Sequence, residues 1–330
     1  MDVRLQTREH LAARLTALRD DDLVALLARV DFRRSVHGSQ FGILLLDGAK
    51  VFVKQIALTA VEQASSWSTA NHFDLPLFYQ YGVGSAGFGA WRELAAYRQA
   101  SDWALTGKCP HFLLLHHWRI LHMGRREPLT PDRQSWLDRA PDYWGGSQAV
   151  RHRLDAIAAA PATITLFLEH APQTLHEWLE PRLSDASCDA ESEATILEFH
   201  RQLDEAAAFM NACGMLHFDL HAHNLLTDGV NLYVTDFGLS ICEDFDLSLQ
   251  ERAFFENHRL YDRSYVRWLF GGRLAPETNP PSLTPALRAL ADRCAPTRDV
   301  LEAFFRELRG ANKTALYPSS SLAATFASPA

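Results

Sequence analysis

Three hundred and thirty residues, 47% of them hydrophobic, exceed one average domain and suit two domains or one two-lobed unit with a large core, which excludes a wholly disordered chain. With 32 Lys and Arg against 40 Asp and Glu, the balance is acidic and guarantees no basic face, so nucleic acid is not expected as a partner. The longest apolar runs, Ile43 to Leu46 and Phe112 to Leu115 among them, fall far short of the roughly 20 residues that cross a bilayer, so no membrane span is expected. Arg4, Arg8 and Glu9 stand where a secretory leader needs apolar residues. Five scattered cysteines without a Cys-x-x-Cys argue against a disulfide scaffold or a zinc ribbon and make a cytoplasmic location the expectation.

In chain order, Leu11, Leu15 and Leu18, then Leu23, Leu26, Leu27 and Val30, predict two short helices in an N-terminal extension over 1–30. Ile43 to Leu46 and Val51 to Val53 flank Asp47-Gly48, the strongest short hairpin signal. Residues 55–88 have no clean period and read as an insertion. Trp91 to Trp103 returns to helical spacing, and 111–121 and 162–168 read as buried strands. A second insertion, at about 122–161, carries Pro128, Pro131, Pro141 and Gly145-Gly146 and is expected to be irregular. After Pro181 the pattern is mostly helical, beginning with Ile196, Phe199, Leu203, Ala207 and Met210 on one face. The division falls near Ala171, between a sheet-rich 31–171 and a helix-rich 172–310, with 311–330 expected as a loose tail rich in Ser, Ala and Pro.

The chemistry concentrates between His217 and Gly238: His217-Phe-Asp219-Leu-His-Ala-His-Asn224, eleven residues on to Thr235, then Asp236-Phe237-Gly238. This stretch resembles the catalytic loop and metal-binding Asp-Phe-Gly of the protein-kinase-like superfamily, matching H-x-D-L-x-x-x-N followed by D-F-G. The resemblance implies an α+β, bilobal protein-kinase-like fold with a small β-rich N-lobe and a larger, mainly helical C-lobe. It also implies an ATP- and Mg²⁺-dependent phosphotransferase acting on a hydroxyl of a protein or small molecule. Asp219 would accept or orient the acceptor proton. The spacing agrees with that role, because Asp228-Gly229 marks a turn between Leu225 to Thr227 and Leu232 to Thr235. A four-residue turn sets Thr227 opposite Leu232 and Asn224 opposite Thr235. Asn224 and Asp236 then come together as two hard oxygen ligands suited to Mg²⁺.

The same resemblance requires a phosphate cover, a lysine and a carboxylate from the first half. Gly38-Ser-Gln-Phe-Gly42, ahead of the first hairpin strand, is the candidate cover. Lys54 ends Val-Phe-Val-Lys, similar to the family's Val-Ala-Ile-Lys, and an internal lysine on a buried strand needs a partner. Glu93, in Trp-Arg-Glu-Leu-Ala-Ala-Tyr, is the expected partner, with Glu62 in reserve. Ile164 to Ala171 looks like the strand and hinge whose backbone, around Glu169 and Ala171, receives adenine.

Two departures bear on substrate. Phe218 and His221 replace the Arg and Lys typical of eukaryotic serine/threonine kinases, and Asp-x-His-x-x-Asn looks more like aminoglycoside, choline, sugar and lipopolysaccharide-core kinases. Asp-Phe-Gly-Leu-Ser keeps the protein-kinase form. Ala275-Pro-Glu277 matches the family's activation-segment ending but leaves too few residues for the helices that follow it there, and is read as coincidence. Two alternatives stand beside the phosphotransferase: a catalytically silent kinase-like binding module, and a zinc-dependent hydrolase using His217, Asp219, His221 and His223.

Overall fold

A computed structural model describes residues 3–35, 39–122, 131–184, 189–275, 283–310 and 313–327. It is mixed α+β and divides into two compact units, Met1–His170 with Phe237–Leu239, and Ala171–Asp236 with Ser240–Ala330. No helix among the described residues is long and apolar enough to cross a membrane.

In the first unit, helices α1 (Val3–Ala17) and α2 (Asp20–Leu27) precede β1 (Arg33–Arg34), β2 (Gln40–Leu46) and β3 (Ala49–Leu58). Leu46 pairs with Ala49 across a two-residue turn in which Asp47 and Gly48 have φ of 50° and 83°, the left-handed pair that a tight hairpin demands. After α3 (Ala60–Ala64) and a 3₁₀ turn at Leu77–Gln80 come α4 (Ala90–Leu105), β4 (Leu115–His122), α5 (Pro131–Tyr143), α6 (Gln148–Ala158) and β5 (Ala162–Glu169). The five strands form one antiparallel sheet in the order β1-β2-β3-β5-β4.

Leu44, Leu46, Val51 and Val53 pack against Leu11, Leu15, Leu23 and Leu27, so the N-terminal helices are built into the sheet's core and do not form a separate extension. Burial of each such leucine contributes about 1.5–3 kcal/mol. With Val51 and Val53 committed to that core, the two-residue period of β3 turns Lys54 to the opposite face.

Both insertions are ordered differently from expectation. Residues 55–58 continue β3, pairing with 162–165 of β5. The described part of the second insertion is two helices, because Pro131 occupies the first turn of α5, Pro141 its last, and Gly145-Gly146 the break before α6. The proline and glycine punctuation therefore marks helix ends and not an irregular path. Phe73, Leu75, Tyr79 and Phe88 of the first insertion share a core with Leu137, Trp144, Val150 and Leu154 of the second.

The second unit contains β6 (Gln173–Thr174), α7 (Leu175–Ser184), α8 (Ala190–Ala212), β7 (Met215–Leu216), β8 (Leu225–Thr227), β9 (Leu232–Val234) and β10 (Ile241–Cys242). Helices α9 (Leu249–Asn257), α10 (Tyr261–Arg273), α11 (Pro285–Arg309) and α12 (Ser319–Ala327) follow. The expectation of a loose tail is wrong for 313–327: Leu322 is fully buried, Tyr317 stacks on His258, and Phe326 lies beneath Arg267 at 3.6 Å. Small Ser and Ala residues, read from composition as disorder, here let the three large side chains seat a short helix.

Candidate active site

The hairpin β8–β9 has the register expected of it, Thr227 opposite Leu232, and Thr235 N donates to Asn224 O at 3.1 Å. Asp228 closes the turn by accepting from Val230 N and Asn231 N at 2.9 and 2.7 Å. Buried Gln202 of α8 pins the hairpin from behind, accepting from Leu232 N at 2.7 Å. Asn224 is thereby fixed beside Thr235, and Asp236 follows directly. Asn224 Nδ2 donates to Asp219 Oδ2 at 2.9 Å and to Asp219 O at 3.0 Å, which ties the aspartate to the hairpin end. Both bonds use the amide nitrogen of Asn224, so its oxygen is the atom that a cation would engage.

The loop ahead of Asp219 is held by a residue that the sequence did not single out. Asp262, fully buried on α10, accepts from His217 N at 2.6 Å and Phe218 N at 3.0 Å. Burial pushes its carboxyl up to about 6, against the pull of those two bonds. Phe218 has a φ of 66°, as Asp236 has 63°, so each aspartate of the site is in or beside a left-handed residue that the surroundings must hold in place. For Phe218 the hold is Asp262 on the backbone and a ring stack on Tyr261 and Phe254, with centroids at 4.4 and 5.6 Å.

His217 is fully buried, its Nε2 bonded to Thr235 O at 3.0 Å and its Nδ1 accepting from Asp219 N at 3.2 Å. Both ring nitrogens are committed to the loop, which leaves none for zinc. His221 Nδ1 likewise accepts from His223 N at 3.2 Å, and its Nε2 stands 3.6 Å from Asp219 Oδ2. Among the described residues no three His, Cys, Asp or Glu side chains group as a metal site, and the four-residue zinc arrangement does not fit.

In the first unit, Lys54 Nζ lies 2.7 Å from Glu93 Oε1, each side chain 8% exposed. Glu62 is engaged elsewhere, with Arg153 at 3.1 Å. Gly38 lies outside the described residues. Gly42 is within β2 and not in a loop ahead of it, and a Cβ there would come 2.5 Å from Val30 Cγ1, so packing against the chain after α2 accounts for this glycine. Glu169 ends β5, where its carboxylate takes Arg4 Nε at 2.8 Å and Leu114 N at 3.0 Å, and its own N–H donates to Leu114 O at 2.8 Å. Ala171 is the first residue of the second unit, and Pro276 and Glu277 are outside the described residues.

Sequence reasoning missed Arg4, Arg153 and Asp262. The only signal for Asp262 is an acidic residue one and two turns before Val266 and Leu269 on an otherwise apolar helix face. No protein-family model matches the chain, and no curated protein matches it.

Proposed function

We propose that the chain is an ATP- and Mg²⁺-dependent phosphotransferase of protein-kinase-like, bilobal architecture, moving the γ-phosphoryl group to a hydroxyl of a protein or small molecule. The observation that carries this reading is the bond from Asn224 Nδ2 to Asp219 Oδ2 at the end of a hairpin whose register sets Asn224 beside Thr235 and hence next to Asp236. The amide oxygen of Asn224 and the carboxylate of Asp236 are hard donors that fit Mg²⁺. When bound, the cation would neutralise charge on the transferring phosphoryl group.

Asp219 is half-buried and steadied by Asn224, so its carboxylate is preorganised to orient an acceptor hydroxyl and take its proton. Lys54 supplies a positive charge for the nucleotide phosphates, and Glu93 keeps that buried charge compensated and its side chain extended. The backbone after Glu169 is the adenine contact. Most of the rate enhancement in such a centre comes from positioning and electrostatics, which agrees with side chains held by several short bonds each.

Incubation with γ-labelled ATP and Mg²⁺, alone and with cell extract split into protein and small-molecule fractions, tests the proposal. Label transferred to one fraction identifies the acceptor class. A protein that binds Mg·ATP but labels neither fraction and releases no phosphate is the silent binding module instead.

A further inference from the structure

Glu62 is a buried carboxylate of the first unit with several partners. Its Oε2 accepts from Thr59 N at 2.9 Å and Thr59 Oγ1 at 2.6 Å, closing a capping box on α3, and meets Arg153 of α6 at 3.1 Å. Its Oε1 accepts from Ala90 N, the first residue of α4, at 2.7 Å, and its carbonyl accepts from Trp91 Nε1 at 2.8 Å. Glu62 is 2% exposed and Arg153 equally buried. Burial alone would push the Glu62 carboxyl up, but the Arg153 charge and the Thr59 and Ala90 bonds outweigh it and hold it below the usual carboxylate range.

The helix held this way carries Glu93 in its first turn, where Glu93 N donates to Gly89 O at 3.2 Å. The same insertion also grips the residues after Asp236. Gln80 Nε2 donates to Leu239 O, and a Cβ on Gly87, whose φ is 74°, would come 2.3 Å from Gly238 O. Phe237 rests against Tyr97 of α4 at 4.9 Å between centroids. The two insertions, sharing one core, therefore fix both the start of α4 and the segment 237–239.

We propose that Glu62, held by Arg153, is a positioning residue that fixes the first turn of α4 and so keeps Glu93 on Lys54, a task the two insertions perform as a permanent clamp. This rests on the reading of Lys54 and Glu93 as nucleotide-site residues only for its catalytic meaning; the positioning itself is a statement about Lys54. In kinases the lysine–glutamate pair has to be in place for phosphoryl transfer, and helix positioning is a common point of control. Here the helix is tied by buried bonds from within its own unit.

The test reads Lys54 directly. Folded protein is treated with trinitrobenzenesulfonate, an amine-reactive probe, and labelling of Lys54 is compared by peptide mass spectrometry with that of exposed Lys50 on the same strand. Glu93→Gln is the benchmark for Lys54 without the Glu93 charge. Ala90→Pro replaces the Ala90 N–H by a ring carbon facing Glu62 Oε1, at a first helical position whose backbone accommodates proline, and Glu62→Gln/Arg153→Met removes both charges so that neither is left buried alone. Each is checked by circular dichroism for a native spectrum. The expected result is a Lys54 to Lys50 ratio at least fivefold above wild type in all three. A wild-type ratio in folded Ala90→Pro, or in Glu93→Gln, overturns the proposal. Failure of wild type to bind Mg·ATP while the ratios respond would remove the phosphotransferase reading and leave the positioning role standing.

Discussion

Lys54 and Glu93 form a buried ion pair, 2.7 Å from Nζ to Oε1, joining the third strand of the sheet to the first turn of α4. Removing one partner of such a pair takes away charge compensation in a dry environment, which costs stability. Glu93→Ala is therefore expected to lower the urea midpoint and to weaken Mg·ATP binding together, whereas Glu62→Ala lowers stability comparably and affects nucleotide binding only through α4. Equilibrium unfolding and nucleotide titration on each variant check this. Unchanged ATP affinity in folded Glu93→Ala would detach the pair from nucleotide binding.

Asp262 is expected to make turnover depend on pH. Only its ionised form offers both oxygens to His217 N and Phe218 N, and burial puts its carboxyl at about 6 in place of the ordinary 3.8. Turnover is thus expected to fall as pH drops through about 6. Stability runs the other way: with the folded value above the unfolded one, this group's contribution is fully present below 3.8 and is lost as pH rises through about 6. In Asp262→Asn one N–H faces the amide nitrogen, which cannot accept, a loss of about 1–3 kcal/mol of stability, and turnover is expected to fall as the loop loosens. The acid limb near pH 6 should be absent from its residual activity. A retained limb would assign it to another group.

Activity should not depend on phosphorylation after Asp-Phe-Gly. A phosphate clamp needs cations, and the residue before Asp219 is Phe218, stacked on Tyr261 and Phe254. Of the two serines between Gly238 and Leu249, Ser240 is buried and Ser248 is the N-cap of α9, accepting from Glu251 N at 3.2 Å. Ser240→Ala/Ser248→Ala is expected to lose about 1 kcal/mol of stability through the cap while keeping its specific activity. Phosphatase-treated protein should match untreated protein. A tenfold loss in both, restored in the treated sample by a phosphorylating kinase, would reveal a switch.

The C-terminal helix belongs to the second unit's core. Leu322→Ala, at a fully buried position, should cost about 2–5 kcal/mol in equilibrium unfolding. A change under half a kcal/mol would mean that α12 undocks in solution.

What was legible in the sequence was local. The Asp47-Gly48 and Asp228 turns fix strand register over a few residues, so the pairing of Thr227 with Leu232 and the approach of Asn224 to Thr235 followed from spacing alone. Lys54 announced a need for a partner by its place on an apolar strand, and the helical anchors Trp91, Leu94 and Tyr97 favoured Glu93 over Glu62. Contacts between distant segments were not legible. Glu62 stands in polar, serine-rich sequence that gives no sign of its burial, and its partner Arg153 lies in a segment whose prolines and glycines conceal two helices. The one local signal at Glu62 is the Thr59-x-x-Glu62 capping box, which marks a helix start and says nothing of Arg153. Asp262 carries no local signal for what it holds, since its two bonds reach back to His217 and Phe218 from another helix.

The central claim is that Asp219 and Asp236 do different work in one phosphoryl-transfer centre, and the most direct measurement compares Asp219→Asn with Asp236→Asn for Mg·ATP-induced thermal shift and for γ-phosphate release in the same preparations. Asp219→Asn should keep the wild-type shift and lose turnover by a few orders of magnitude, while Asp236→Asn loses shift and turnover together. Near-normal turnover in Asp219→Asn, or an undiminished Mg·ATP shift in Asp236→Asn, would contradict the account.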